Sequence, residues 1–396
     1  MKFDFDTLVD RTGSGSMKDI MCPPRIRDAG LPSYAGAEMD FPMAPSIQQA
    51  IIQRAQTGLP GYTLCDELYR DAVKWWMQTQ RNLEISSEWI IPTHGTIFSL
   101  ATVIRMATNP GESIITQPPI YFRYEQAATR LGRKTLYNRL LWRDGQYTMD
   151  LEGLEALMAR PDSKILVLCN PQNPTGTVWD CETLTRVAQL AKRYDVLVYC
   201  DEIFADITMD CTCPGYLSIP EARSHAIVCT SLGKTFNLTG MNHANVLIAD
   251  KRLADRFIAQ RNADHYGSID PWAYSSVLGA YSEGGALWKN AMVDYVTDNI
   301  RYIRQFFSNH LPFVTVAPSG GSYLLWTDWS GCGMTESQLE EFLENEALLH
   351  LSPGHEYNAS RPCMARMCTA APRHCLERSM EYLCRAAKGR GLPVIP

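Results

Sequence analysis

The run SKILVLC at residues 163–169 passes directly into NPQNPTG at 170–176. An unbroken apolar stretch of this length, closed by an Asn/Pro/Gly turn, reads as a strand buried on both faces. DVLVYCDE at 195–202 repeats the pattern. Between the two lies TLTRVAQLAKRY (183–194), where Leu184, Val187, Ala188, Leu190 and Ala191 fall on one helical face. Strand, helix, strand in that order is a crossover unit, and its two strands run parallel. Working outward, EWIIP (88–92), ESIITQ (112–117), HAIVCTS (225–231) and ANVLIAD (244–250) have the same character. The middle of the chain therefore predicts an α/β fold with a largely parallel sheet between helices.

The C-terminal third changes rhythm. Helical segments in 286–311, 335–347 and 376–387 alternate with three candidate strands, FVTVAP (313–318), SYLLWTDW (322–329) and CMARMCT (363–369). This pattern predicts a smaller α+β domain. We place the boundary near residue 285, giving a large domain over 46–285. Residues 286–396, with the Pro/Gly-rich segment 1–45, form the small one.

With 396 residues, 45% hydrophobic and 20% charged, the chain has material for a large core, which excludes a disordered or disulfide-stapled protein. Its 37 basic and 43 acidic residues leave a net charge of −6 without a basic run, so neither nucleic acid nor an anionic membrane is the expected partner. The opening MKFDFDTLVD is acidic where a signal peptide needs an apolar core, and no long uninterrupted apolar span follows. Thirteen cysteines form no repeating framework, and several sit inside apolar runs as reduced core thiols. The expected compartment is the cytoplasm. Cys211 and Cys213 form a C-x-C with no second pair at zinc spacing, so no metal is expected.

Chemistry concentrates after the strands, where open α/β sheets bind their ligands. NPQNPTG follows the first strand quoted, Asp201-Glu202 closes the second, and Ser231-Leu232-Gly233-Lys234 follows HAIVCT. Each alone is bland: a turn, a helix cap, a solvated lysine. Together, Asn173, Asp201 and Lys234 each follow a strand of one sheet, which places them at one edge.

NPQNPTG, YCDEI and TSLGKTFN are similar to the signature segments of fold-type I enzymes that use pyridoxal 5′-phosphate (PLP), in the class I/II aminotransferase group. FDTLVDRTGSGSMK (5–18), AEMDFPMAP (37–45), GYT (61–63), KTFNLTG (234–240) and GGSYLLW (320–326) resemble, within it, the MalY/PatB-type cystathionine β-lyases, or C–S lyases. The resemblance runs from about residue 3 to 387. It implies a large domain with a mostly parallel, seven-stranded type of sheet, the PLP-dependent transferase fold.

Residue by residue, the resemblance makes Lys234 the Schiff-base lysine and Asp201 the partner of the pyridine nitrogen. Asn173 would donate to the phenolic oxygen of the ring, and Tyr121 would stack on its face. Gly95 and Thr96, opening a helix, would take the phosphate with the hydroxyl of Ser231. A helix N-terminus suits a dianion. Tyr62 would reach that phosphate from a neighbouring subunit, which implies a homodimer with shared active sites. Arg366 would grip the substrate carboxylate, with Arg361 as the competing candidate, and Ala37 would lie over that carboxylate through backbone N–H. Two positions depart from the family pattern. Phe204 stands where many relatives carry a tyrosine or histidine, and Asn242 where many carry a phosphate-binding arginine.

The implied reaction is α,β-elimination from cystathionine, cysteine or another S-substituted cysteine, giving thiol, pyruvate and ammonia. Lys234 would be the base at Cα, and Lys234, Tyr121 or Tyr124 would protonate the departing sulfur. An aminotransferase is the alternative, and a regulatory binding protein the minor one.

Overall fold

The computed structural model describes residues 3–143 and 145–395. Its strands, in chain order, are β1 (Ile90–Thr93), β2 (Ser113–Thr116), β3 (Lys134–Tyr137), β4 (Leu141–Arg143), β5 (Gln146–Thr148), β6 (Ser163–Cys169), β7 (Leu197–Asp201), β8 (Ala226–Thr230) and β9 (Ala244–Leu247). Beyond them come β10 (Thr315–Val316), β11 (Leu324–Asp328), β12 (Ser352–Pro353) and β13 (Met364–Cys368).

Seven strands form the large sheet, in the order β1-β9-β8-β7-β6-β2-β3. β9 alone runs against its neighbours, β8 and β1. The six apolar runs singled out in the middle of the sequence are β1, β2, β6, β7, β8 and β9. The seventh strand, β3, was not foreseen. It is an edge strand, half-exposed along its length, and lacks the continuous apolar run that marks buried strands.

The helix Cys181–Tyr194 lies between β6 and β7 and buries the expected face, Leu184, Val187, Ala188, Leu190 and Ala191. Asp180 caps its first turn by accepting from the Thr183 N–H at 2.7 Å. Each leucine or valine buried here contributes about 1.5–3 kcal/mol. One face of the sheet packs Ile91, Ile165, Val167, Tyr199 and Val246 against Leu100, Val103 and Phe257. The other joins Leu166, Leu168, Val198 and Val228 to a core that runs on into the small sheet through Tyr323, Leu324 and Met367.

The small sheet is antiparallel, ordered β10-β11-β13-β12. β13 is central, and its register sets Arg366 opposite Trp326 on one side and Ser352 on the other. The helix Glu283–His310 leads into this region, and Arg373–Gly389 packs against it.

The N-terminal segment crosses between the two sheets. Arg11 pairs with Glu38 and donates to the Met39 carbonyl at 2.6 Å, while Lys18 pairs with Asp40 at 2.7 Å. The Asn237 side chain holds the Met39 backbone twice, accepting from its N–H and donating to its carbonyl, each at 2.9 Å. The residues that follow Lys234 and those at 37–40 are thereby fastened together.

Candidate active site

Five loops leave the same end of the large sheet, after β1, β2, β6, β7 and β8. They carry Gly95-Thr96, Tyr121, Asn173, Asp201 and Lys234 in turn.

Asp201, the last residue of β7, is buried. Tyr124 donates its hydroxyl to Oδ2 at 2.6 Å, and the Ile203 N–H donates to Oδ1 at 3.1 Å. Burial outweighs these two bonds and raises the carboxyl to about 6. Lys234 sits in the short helix Leu232–Thr235. Burial, then the positive charge of Arg366, pushes its amine down to about 8. The charges of Lys234 and Asp201 are each felt by the other. A lysine in that range reaches its neutral, nucleophilic form at mildly alkaline pH.

Arg366 is buried in β13. Its Nη1 donates to Asn173 Oδ1 at 3.1 Å, its Nη2 to Ser352 Oγ at 3.4 Å, and its Cζ lies 4.8 Å from the centre of the Tyr357 ring. Its Nε has no hydrogen-bond partner. The Gly36 N–H donates to Ser352 Oγ at 3.1 Å, which brings the N-terminal segment to the same wall. Arg361 lies elsewhere, half-exposed and paired with Asp328 at 2.5 Å.

Gly95 precedes the helix Thr96–Ala107 with φ +84°, a conformation that only glycine adopts without strain. No side chain caps this helix, so first-turn N–H groups remain for an anion. The Thr96 carbonyl accepts from Tyr199 at 2.7 Å, tying the helix start to β7. Asn242, in the left-handed region at φ +46°, presents its backbone to Gly95. Phe204 is buried and packs edge-on against Tyr323, ring centres 5.6 Å apart.

Two side chains and one backbone carbonyl have partners that the sequence does not announce. Tyr124 is fully buried with its hydroxyl committed to Asp201, so it orients that carboxylate instead of facing a departing sulfur. The Ser231 hydroxyl donates to the His243 carbonyl at 2.6 Å and accepts from the Gly233 N–H at 3.0 Å, holding the lysine turn. Ala37 contributes its carbonyl, which accepts from Lys234 Nζ at 2.7 Å and from the Tyr323 hydroxyl at 3.2 Å. Tyr121 stands edge-on to Tyr124 at 5.6 Å and is close enough to Arg366 and Asp201 to feel both charges. Tyr62 is fully exposed in the single chain.

Ser352, Tyr357 and the double clamp of Asn237 on Met39 escaped the sequence reading. Asn237 lay within a recognised motif, but Ser352 and Tyr357 carry no local signal, because sheet pairing and ring packing alone bring them to Arg366. Among the described residues, no three His, Cys, Asp or Glu side chains are grouped to hold a metal, and no helix is long and apolar enough to cross a membrane.

The family model "Aminotransferase class I and II" matches residues 33–386, which spans every residue of this site. The chain belongs to the class I and II aminotransferase family. Among its relatives in that family, cystathionine β-lyase PatB of Bacillus subtilis is 30% identical over 89% of this chain and 92% of its own length. Protein MalY of Escherichia coli is 28% identical over 98% and 99%. The crystal structure of cystalysin from Treponema denticola, which contains a pyridoxal 5′-phosphate cofactor, superposes with a TM-score of 0.94 at 28% identity, covering 98% of this chain and 100% of that one. The fold is therefore that of a PLP-dependent transferase, as the signature segments implied.

Proposed function

We propose that this member of the family uses PLP to cleave the Cβ–S bond of an S-substituted cysteine, such as cystathionine, or of cysteine itself. The products are a thiol, pyruvate and ammonia, with one water consumed. The observation that carries the reading is the convergence of a buried carboxylate, a lysine with a depressed pKa and a buried arginine with an unpartnered Nε. Similarity to the cystathionine β-lyase PatB over 89% of this chain supports the choice of reaction.

The donor set fits the cofactor. Asp201, steadied by Tyr124 and the Ile203 N–H, would face the ring nitrogen, and Asn173 the phenolic oxygen. Tyr121 would cover one ring face. Gly95 and Thr96 would take the phosphate beside the turn that Ser231 holds, and Tyr62 of a second copy of the chain would complete the cradle, in a cytoplasmic homodimer. When bound, PLP supplies an electron sink for the charge that develops at Cα.

The chain supplies the rest. Arg366, braced by Asn173, Ser352 and Tyr357, fixes the substrate carboxylate through paired N–H donors. Lys234 takes the Cα proton as general base. A thiolate is a stable leaving group, and Lys234 or Tyr121 returns a proton to it. The division into a large unit at 46–285, and a small one built from 1–45 and 286–396, remains part of this proposal, with the substrate held between them.

The test offers S-methyl-cysteine to purified protein without any keto acid. Catalytic pyruvate release is the expected result. Turnover only after keto acid is added assigns the protein to the aminotransferases, the reaction for which its family is named.

A further inference from the structure

The Ala37 carbonyl accepts two hydrogen bonds, one from Lys234 Nζ at 2.7 Å and one from the Tyr323 hydroxyl at 3.2 Å. The first donor is temporary by chemistry. An amine that attacks an aldehyde or carries a proton to and from a substrate has to leave that carbonyl. Tyr323 is permanent: it is fully buried, its ring is held by Phe204, and burial keeps its hydroxyl protonated. Ala37 adjoins Gly36, whose N–H donates to Ser352 Oγ, and Ser352 in turn receives Arg366 Nη2. A displacement at Ala37 is therefore passed through two hydrogen bonds to the arginine that takes the substrate carboxylate.

We propose that Tyr323 is a positioning residue that keeps the segment around Ala37 seated when Lys234 withdraws, so that the carboxylate grip of Arg366 is insulated from the movements of the lysine. The inference rests on the reading of Lys234 as the reactive amine. It assigns a role to Phe204 as well, since that ring braces the tyrosine where many relatives place a hydroxyl or imidazole. Ala37 is half-buried, and a carbonyl there that loses both protein donors is destabilised, while one that keeps the second is not. Loss of either donor alone is thus tolerated, and loss of both is not.

The experiment has two arms. In the first, hydrogen exchange is followed at residues 35–40 of the cofactor-free protein, as wild type, Lys234→Met, Tyr323→Phe and the double variant. Each single change is expected to speed exchange less than about threefold, and the double change about tenfold or more, a non-additive result. Additive effects, or full release by Tyr323→Phe alone, overturn the proposal. Phe preserves the ring and its packing, so the fold is retained, and far-ultraviolet circular dichroism verifies that.

In the second arm, the holoenzyme Tyr323→Phe is assayed for pyruvate release. KM is expected to rise about tenfold with kcat within about threefold, because substrate seating suffers and proton transfer does not. A fall in kcat at constant KM overturns positioning and makes Tyr323 a participant in the chemistry. Failure of the wild type to take up PLP or release pyruvate would sink the functional reading instead. The first arm, run without cofactor, still decides the hydrogen-bond relay by itself.

Discussion

The floor and the wall of this site are built on opposite plans. The floor, with Asn173, Asp201 and Lys234, comes from successive strand ends of one parallel sheet, so each residue's place follows from local pattern plus one topological rule. The wall gathers Gly36 and Ala37, Ser352, Tyr357 and Arg366 from opposite ends of the sequence, joined by antiparallel pairing and side-chain hydrogen bonds. The floor holds ionisable groups away from their ordinary pKa values by burial. In the wall, hydrogen bonds and an aromatic face hold the Arg366 guanidinium. In the proposed reaction the first arrangement moves protons and the second orients substrate.

Substitutions on the two sides should separate accordingly. Lys234→Ala removes the base from the floor and is expected to lower kcat for pyruvate release by about 10³-fold or more, with the fold intact by circular dichroism. Residual turnover within tenfold of wild type would assign the base elsewhere. Arg366→Lys keeps the charge of the wall but loses the planar fork. It should cut kcat/KM by about 10- to 100-fold, mostly through KM. A loss carried by kcat alone would blur the distinction between the two sides.

The smallest effect expected is on stability, and it has a sign. The Asp201 carboxyl is raised to about 6 in the fold, against about 3.9 in an unfolded chain. The folded protein therefore binds this proton more tightly, and the resulting stability is complete below about pH 4 and is lost as pH rises through about 6. At pH 7, the cofactor-free Asp201→Asn variant should be more stable than wild type by about 1–3 kcal/mol in urea unfolding. It should also retain PLP less well. A destabilised Asn variant would mean that the bonds from Tyr124 and Ile203 outweigh burial.

The same contrast explains what could be read in advance. Six of the seven large-sheet strands announced themselves because a strand buried on both faces needs a continuous apolar run. β3, exposed at the edge, and β12, two residues long, have no such requirement. Among the candidate site residues, Asn173, Asp201, Lys234 and Arg366 were picked out from motif segments, and the structure brings all four together. The commitments of Tyr124 to Asp201 and of the Ala37 carbonyl to Lys234 were not legible. Each joins residues more than 70 positions apart, through a partner that only the packed chain selects.

The amide clamp of Asn237 on Met39 is electrically neutral, whereas Arg11 and Lys18 hold the preceding segment by ionic attraction. Salt screens exposed pairs far more than buried ones, and the Lys18–Asp40 pair is almost wholly buried. Both attachments therefore hold at high salt, and the stretch beside the lysine keeps its position across a wide range of ionic strength.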